Sequence, residues 1–175
     1  GSGDAEGLKS RVSPDGTVIT ESCSLLRELA MSKPDAVQKD PALLVTLLTP
    51  LDMLQNGKFE FGDVFAETII STCLTAVASL IVLPMTSESL VKAMLQLVLT
   101  IIFGAKKHPP DKVKDAAKLL LKECLRHSSI NLAEQQRIAC DLATAGNWET
   151  WAVLSSVNDG LAIVPSLEII QKVLR

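Results

Sequence analysis

From residue 17 onward, apolar positions recur at the three- and four-residue spacing of helices, and caps or breakers interrupt them about every twenty residues. In "KDPALLVTLL" Asp40 is a cap and Pro41 takes a first helical position, while "TSESL" offers Thr86 or Ser87 as the next cap. "HPPDKVK" sets Pro110 at another start, and "NLAEQQ" places Asn131 three residues before Glu134 as a capping box. "AGNWE" ends one helix at Gly146 and caps the following one at Asn147, and Ser166 after Pro165 opens or continues the last. This punctuation predicts helices over 17–32, 40–55, 62–83, 87–103, 110–127, 131–145, 147–157 and 163–175. No stretch reads as a run of strands. "NGKFEFG" (56–62) alternates but stands alone, and as a calcium loop counted from Asn56 it puts Phe61 at the sixth position, where glycine is required. Residues 1–16, polar and ending in "SPDG", read as a flexible lead and a turn, and the opening Gly-Ser-Gly as a cloning remnant. The expectation is one all-α domain over 17–175.

The run "TIISTCLTAVASLIVLPMTS" (68–87) has no charge, so length alone would let it cross a bilayer. Spacing says otherwise. Thr68, Ser71, Thr72, Thr75 and Ser79 share one face of a helix; Ile70, Cys73, Leu74, Val77, Leu80 and Ile81 share the other. Such a helix suits burial on two sides, with a neighbour close against the small face. No Trp or Tyr flanks the run, as the ends of a span would require. In the helix after it, Glu88, Lys92, Gln96 and Thr100 make a single polar stripe on an apolar cylinder. The run reads as core, and no membrane partner is expected.

Composition narrows the class further. The chain has 175 residues, 47% hydrophobic and 21% charged, enough for one domain that buries roughly 70% of its unfolded surface. Tyr is absent, and Phe59, Phe61, Phe65, Phe103, Trp148 and Trp151 are the aromatics, a mix that favours helix-on-helix packing over sheets. A net charge of −3 is too mild to imply nucleic acid or membrane. Cys23, Cys73, Cys124 and Cys140 are far apart, lack a Cys-x-x-Cys pair and fall at or beside apolar helix positions. They read as buried free thiols, which implies a reducing compartment, cytoplasm or nucleus.

Taken in order as pairs, the predicted helices start near 17, 62, 110 and 147, and the first two intervals match the ~40–47-residue period of helical arrays. In that spacing the chain resembles a piece of an armadillo or HEAT array. The resemblance implies stacked antiparallel helix pairs in a right-handed solenoid fragment, working as a protein–protein interaction scaffold or adaptor. Arg175 stands inside an apolar helical pattern, as expected of a piece of a longer array whose exposed end could self-associate.

Chemistry is sparse. The sequence has no nucleophile elbow, phosphate loop, dinucleotide fingerprint or His-Glu-x-x-His, and no Cys or carboxylate stands at metal spacing to His108 or His127. A non-catalytic protein without cofactor or metal is expected. The functional-looking stretch is "KKHPPDKVKDAAKLLLKECLRH" (106–127), with seven of the seventeen Lys and Arg. Lys114, Lys118, Lys122 and Arg126 recur every four residues as a positive ridge of roughly 18 Å. It is either a docking strip for an acidic or amphipathic peptide segment, or a solvated face steadied by Asp111–Lys114, Asp115–Lys118 and Glu123–Arg126 pairs. Nucleic acid ranks behind a protein partner, since no aromatics interleave with the lysines. Trp148 and Trp151, one turn apart in "NWETWAVL", are either partner anchors or rings filling the end of the core. Met31, Met53, Met85 and Met94 are spread as gap-fillers, and "NDG" (158–160) is a turn.

Overall fold

Cap chemistry decides where the helices of this chain begin. The structure, a computed structural model, describes residues 20–57, 61–104, 109–158, 160–161, 171–172 and 174. The lead 1–16, the expected helix opening at 17–19, residues 58–60 of the 56–62 loop, Lys106, Lys107, His108, the middle of the "NDG" turn and most of the expected 163–175 helix lie outside them. Among the described residues the chain is helix and turn, without a strand. Helix α1 spans 20–32, followed by α2 (Pro34–Lys39), α3 (Pro41–Gln55), α4 (Val64–Ile81), α5 (Glu88–Gly104), α6 (Asp111–Arg126), α7 (Leu132–Thr144) and α8 (Trp148–Val153), which runs into a 3-10 turn at Leu154–Ser156.

The caps act as their residue types dictate. Asp40 accepts from the Ala42 and Leu43 amides at 3.0 and 3.3 Å, with Pro41 opening α3. Asp63 accepts from the Phe65 amide at 2.9 Å, and Asn131 from the Glu134 amide at 2.8 Å. Of the two cap candidates before α5, Ser87 takes the role by accepting from the Leu90 amide at 3.3 Å. Helix α2 is the element the spacing passed over. Six residues hold too little periodicity to register, although Pro34 at its start and Asp35 in its first turn are ordinary helix-opening signals.

Helix α4 is the centre of the molecule. Ile70, Cys73, Leu74, Val77, Leu80 and Ile81 are each at most 1% exposed. The small face lies towards α6: Lys112 donates to the Thr68 hydroxyl at 2.8 Å, and Ser71, Thr72 and Thr75 share a groove with Ala116 and Leu119. Along that face Thr68, Ser71 and Thr75 donate to backbone carbonyls one turn back, so their hydroxyls need no partner across the seam. By length and composition α4 is the one described helix apolar enough to cross a membrane; here 61% of it is buried within the protein.

The pairing of helices differs from the expected phase. Substantial contacts join α3 to α4, α5 to α6 and α7 to α8, and these pairs meet one another through α4–α6, α3–α5 and α6–α8. Helices α4 and α5, and likewise α6 and α7, which the sequence paired, come less close backbone to backbone, although Gln135 of α7 donates to the Leu125 carbonyl of α6 at 2.6 Å. Regrouped in this way, the pairs start at Pro41, Glu88 and Leu132, 47 and 44 residues apart. Which helices pack together follows from which apolar faces meet. Helix α6 buries Val113, Ala116, Ala117, Leu120, Leu121, Cys124 and Leu125, a stripe wide enough to cover α5 and α4 together, and one contiguous core results. Cys23, Cys73 and Cys124 are buried free thiols and Cys140 is half-buried, the exception to the expected set.

Candidate functional site: a cavity between the basic helix and the tryptophan corner

The basic face of α6 follows from the same seven-residue stripe that buries its other side. Lys114, Lys118, Lys122 and Arg126 fall between the core positions, and all three expected ion pairs form: Asp111–Lys114 at 3.6 Å, Asp115–Lys118 at 3.7 Å and Glu123–Arg126 at 3.7 Å. The ridge is not one uniform strip. Arg126 donates to the Ser156 carbonyl at 2.6 Å and so fastens the end of the 3-10 turn. Lys122 is half-exposed and makes no ion pair among the described residues. Lys118 is the enclosed member, its side chain 15% exposed, and it reaches across to pair with Glu149 on α8.

The tryptophan corner is set by two residues. Gly146, at φ +71°, closes α7: its amide donates to the Ala143 carbonyl at 3.1 Å, and the Asn147 amide to that of Leu142 at 2.9 Å. Asn147 then caps α8, its side chain accepting from the Thr150 amide at 3.2 Å. The chain therefore reverses in two residues, and α8 starts directly above α6. Trp148 and Trp151, one turn apart, meet edge to face with ring centroids 5.5 Å apart. Their fates divide the two readings. Trp151 packs partly buried against the core, whereas Trp148 is half exposed.

Between these parts lies a cavity of about 380 Å³, lined by Ile101 and Ile102 of α5, Pro109, then Lys114, Ala117 and Lys118 of α6, and the segment Gly146 to Thr150. Two features that are 30 residues apart in sequence, the ridge and the Trp pair, thus share a single hollow through Lys114, Lys118 and Trp148. Lys122, Arg126 and Trp151 do not line it. Its floor is aliphatic and its walls carry two ammonium groups, one carboxylate and an indole. The Lys118 ammonium, donating to Glu149, holds that exposed carboxyl below its ordinary value.

Sequence reading missed Glu149, Asn147 as a wall residue, and the aliphatic floor. Glu149 pairs with a lysine 31 residues earlier, and no local spacing carries such a pairing. His127, one of the two histidines weighed for chemistry, acts locally instead, its Nδ1 accepting from the Ser129 amide at 3.2 Å beyond the end of α6. Among the described residues no three of His, Cys, Asp and Glu come together as a metal site would require. Comparisons with known protein families, with curated proteins and with solved structures find no match for this chain.

Proposed function

We propose that this chain is a non-catalytic interaction scaffold of the armadillo or HEAT type, and that the cavity between α5, α6 and α8 docks an acidic, amphipathic peptide segment of a protein partner. The observation that carries this reading is the meeting of Lys114, Lys118 and Trp148 around one aliphatic-floored hollow. A half-exposed indole beside two cations, one of them enclosed, offers an apolar anchor and charge complementarity together, the combination found at hot spots. The contacts within α3/α4, α5/α6 and α7/α8, and between successive pairs, are those a stacked array would make, and their 47- and 44-residue spacing fits such a repeat. Buried free thiols fit a reducing compartment, cytoplasm or nucleus. No aromatics interleave with the ridge lysines, which places a nucleic acid behind a protein partner.

The test is an anisotropy titration with a blocked, dye-labelled peptide of leucine and glutamate, run beside labelled single-stranded DNA. Saturable peptide binding that Trp148→Ala abolishes and Lys122→Gln leaves alone is the expected result. Peptide binding indifferent to Trp148→Ala would remove the cavity from the reading. DNA binding that collapses between about 50 and 200 mM salt would put a nucleic acid in the partner's place.

A further inference from the structure

Lys118 already holds a carboxylate. Its side chain is 15% exposed, against 36% for Lys114 and 44% for Arg126, and a cation so enclosed needs a counter-charge close by. Two acids supply it: Asp115, at 3.7 Å on the same helix, and Glu149, reaching over from the second residue of α8. Glu149 is itself 64% exposed, stands in the cavity wall beside Trp148, and has no other hydrogen bond or ion pair among the described residues. Its carboxylate therefore sits where an incoming acid would have to sit, and water can take it up at little cost once Lys118 lets go.

Resting on the docking reading above, we infer that Glu149 is a built-in competitor: the partner's carboxylate replaces it on Lys118, and the displaced Glu149 turns out to solvent. Lys114, the second cation of the cavity, is 36% exposed and its Asp111 partner is 96% exposed, so that pair loosens readily and adds to the pull on an acidic segment. The exchange leaves the corner in place. Arg126 keeps its hold on the Ser156 carbonyl, and the Asn147 cap does not involve Glu149. The occupant is thereby specified as an acidic side chain next to an apolar one, the acid on Lys118 and the apolar group against Trp148, Ile101 and Ile102. The resident pair also works as a filter, since a neutral segment of the same shape gains nothing by displacing Glu149.

The experiment titrates the whole chain into dye-labelled leucine–glutamate peptide and into its leucine–glutamine counterpart, followed by anisotropy of the label, so that the Trp148 variant is read in the same way as the others. Glu149→Gln should bind the acidic peptide about threefold more tightly than the unaltered chain and leave the neutral peptide unchanged. Lys118→Met keeps the aliphatic stem and removes only the charge; it should bring the acidic peptide down to the level of the neutral one. A Glu149→Gln protein that binds the acidic peptide no better, while Trp148→Ala still abolishes binding, overturns the exchange and leaves the docking site standing. No binding of either peptide to either protein overturns both. Equal melting of the variants guards the comparison.

Discussion

Thr86 donates its buried hydroxyl to the Leu80 carbonyl at 2.6 Å, tying the connection into α5 back onto the last turn of α4. The Leu83 amide reaches the same carbonyl at 3.1 Å, so Thr86 adds a side-chain donor to backbone donors at the end of the helix. Thr86→Val keeps the shape and removes the donor, and should lower stability to urea by about 1–2 kcal/mol, whereas Thr86→Ser keeps the bond and most of the stability. A Thr86→Val protein as stable as the unaltered chain, beside a weakened Thr86→Ser, would mean that packing of the methyl, and not the hydrogen bond, is what matters at this position.

Gly146 makes a separate prediction about the tryptophan corner. A Cβ built on it meets nothing within 4 Å, so any cost of substitution comes from the backbone at φ +71° and not from a clash. Gly146→Ala should cost about 1 kcal/mol in chemical unfolding, and Gly146→Asn less, because Asn tolerates the left-handed region. Both should retain the edge-to-face tryptophan signal in near-ultraviolet circular dichroism.

The thiols predict a pH dependence. A hydrogen bond from Cys73 holds the Cys23 thiol at about 7 against its ordinary 9.0, in spite of burial, and the same bond together with burial pushes Cys73 far up. Burial, with Glu123 adding to it, pushes Cys124 to about 12. Between about 7 and 9.0 the unfolded chain holds the Cys23 proton that the folded chain has released, so the thiol contribution to stability rises with pH there. Above 9.0 the unfolded chain releases the Cys73 and Cys124 protons that the folded chain keeps, and the contribution falls. Thiolate absorbance of the native protein should show one early ionisation that Cys23→Ser removes; its absence below pH 9 would sink the assignment.

The two indoles should separate in solution. Trp148, half exposed, should account for the fluorescence that acrylamide quenches, and Trp148→Phe should leave a shielded emitter. Trp148→Ala should cost no more than about 1 kcal/mol, the scale of one aromatic pair. Trp151→Ala, which strips a ring packed against the core, should cost about 2–4 kcal/mol.

Local chemistry was legible in the sequence to within a few residues. Asp40, Pro41, Asn131, Gly146 and Asn147 do what their types and positions announce, because a cap involves only residues two or three apart. The three ion pairs of the ridge were legible for the same reason. What could not be read is whatever depends on two distant segments meeting. Which helices pack on which depends on the faces of α4, α5 and α6 together. The cavity depends on α5, α6 and α8, and the Lys118–Glu149 pair spans 31 residues that no periodicity links. Even the choice between Thr86 and Ser87 as cap needed the fold, since the α4 terminus claims the first of them.

The adjacency of the helices bears on how the chain reaches its native state. From α2 to α8, each substantial interface joins helices that are immediate or next neighbours along the chain. Closing such contacts draws together segments separated by a loop or by a single intervening helix, so the entropy lost in each closure is modest and the contact order is low. Folding should run on the fast timescale of helical bundles, with each pair able to dock as soon as the next helix has been made. The longer-range tie between Cys23 of α1 and Cys73 of α4 can then form last, on a scaffold that is already assembled.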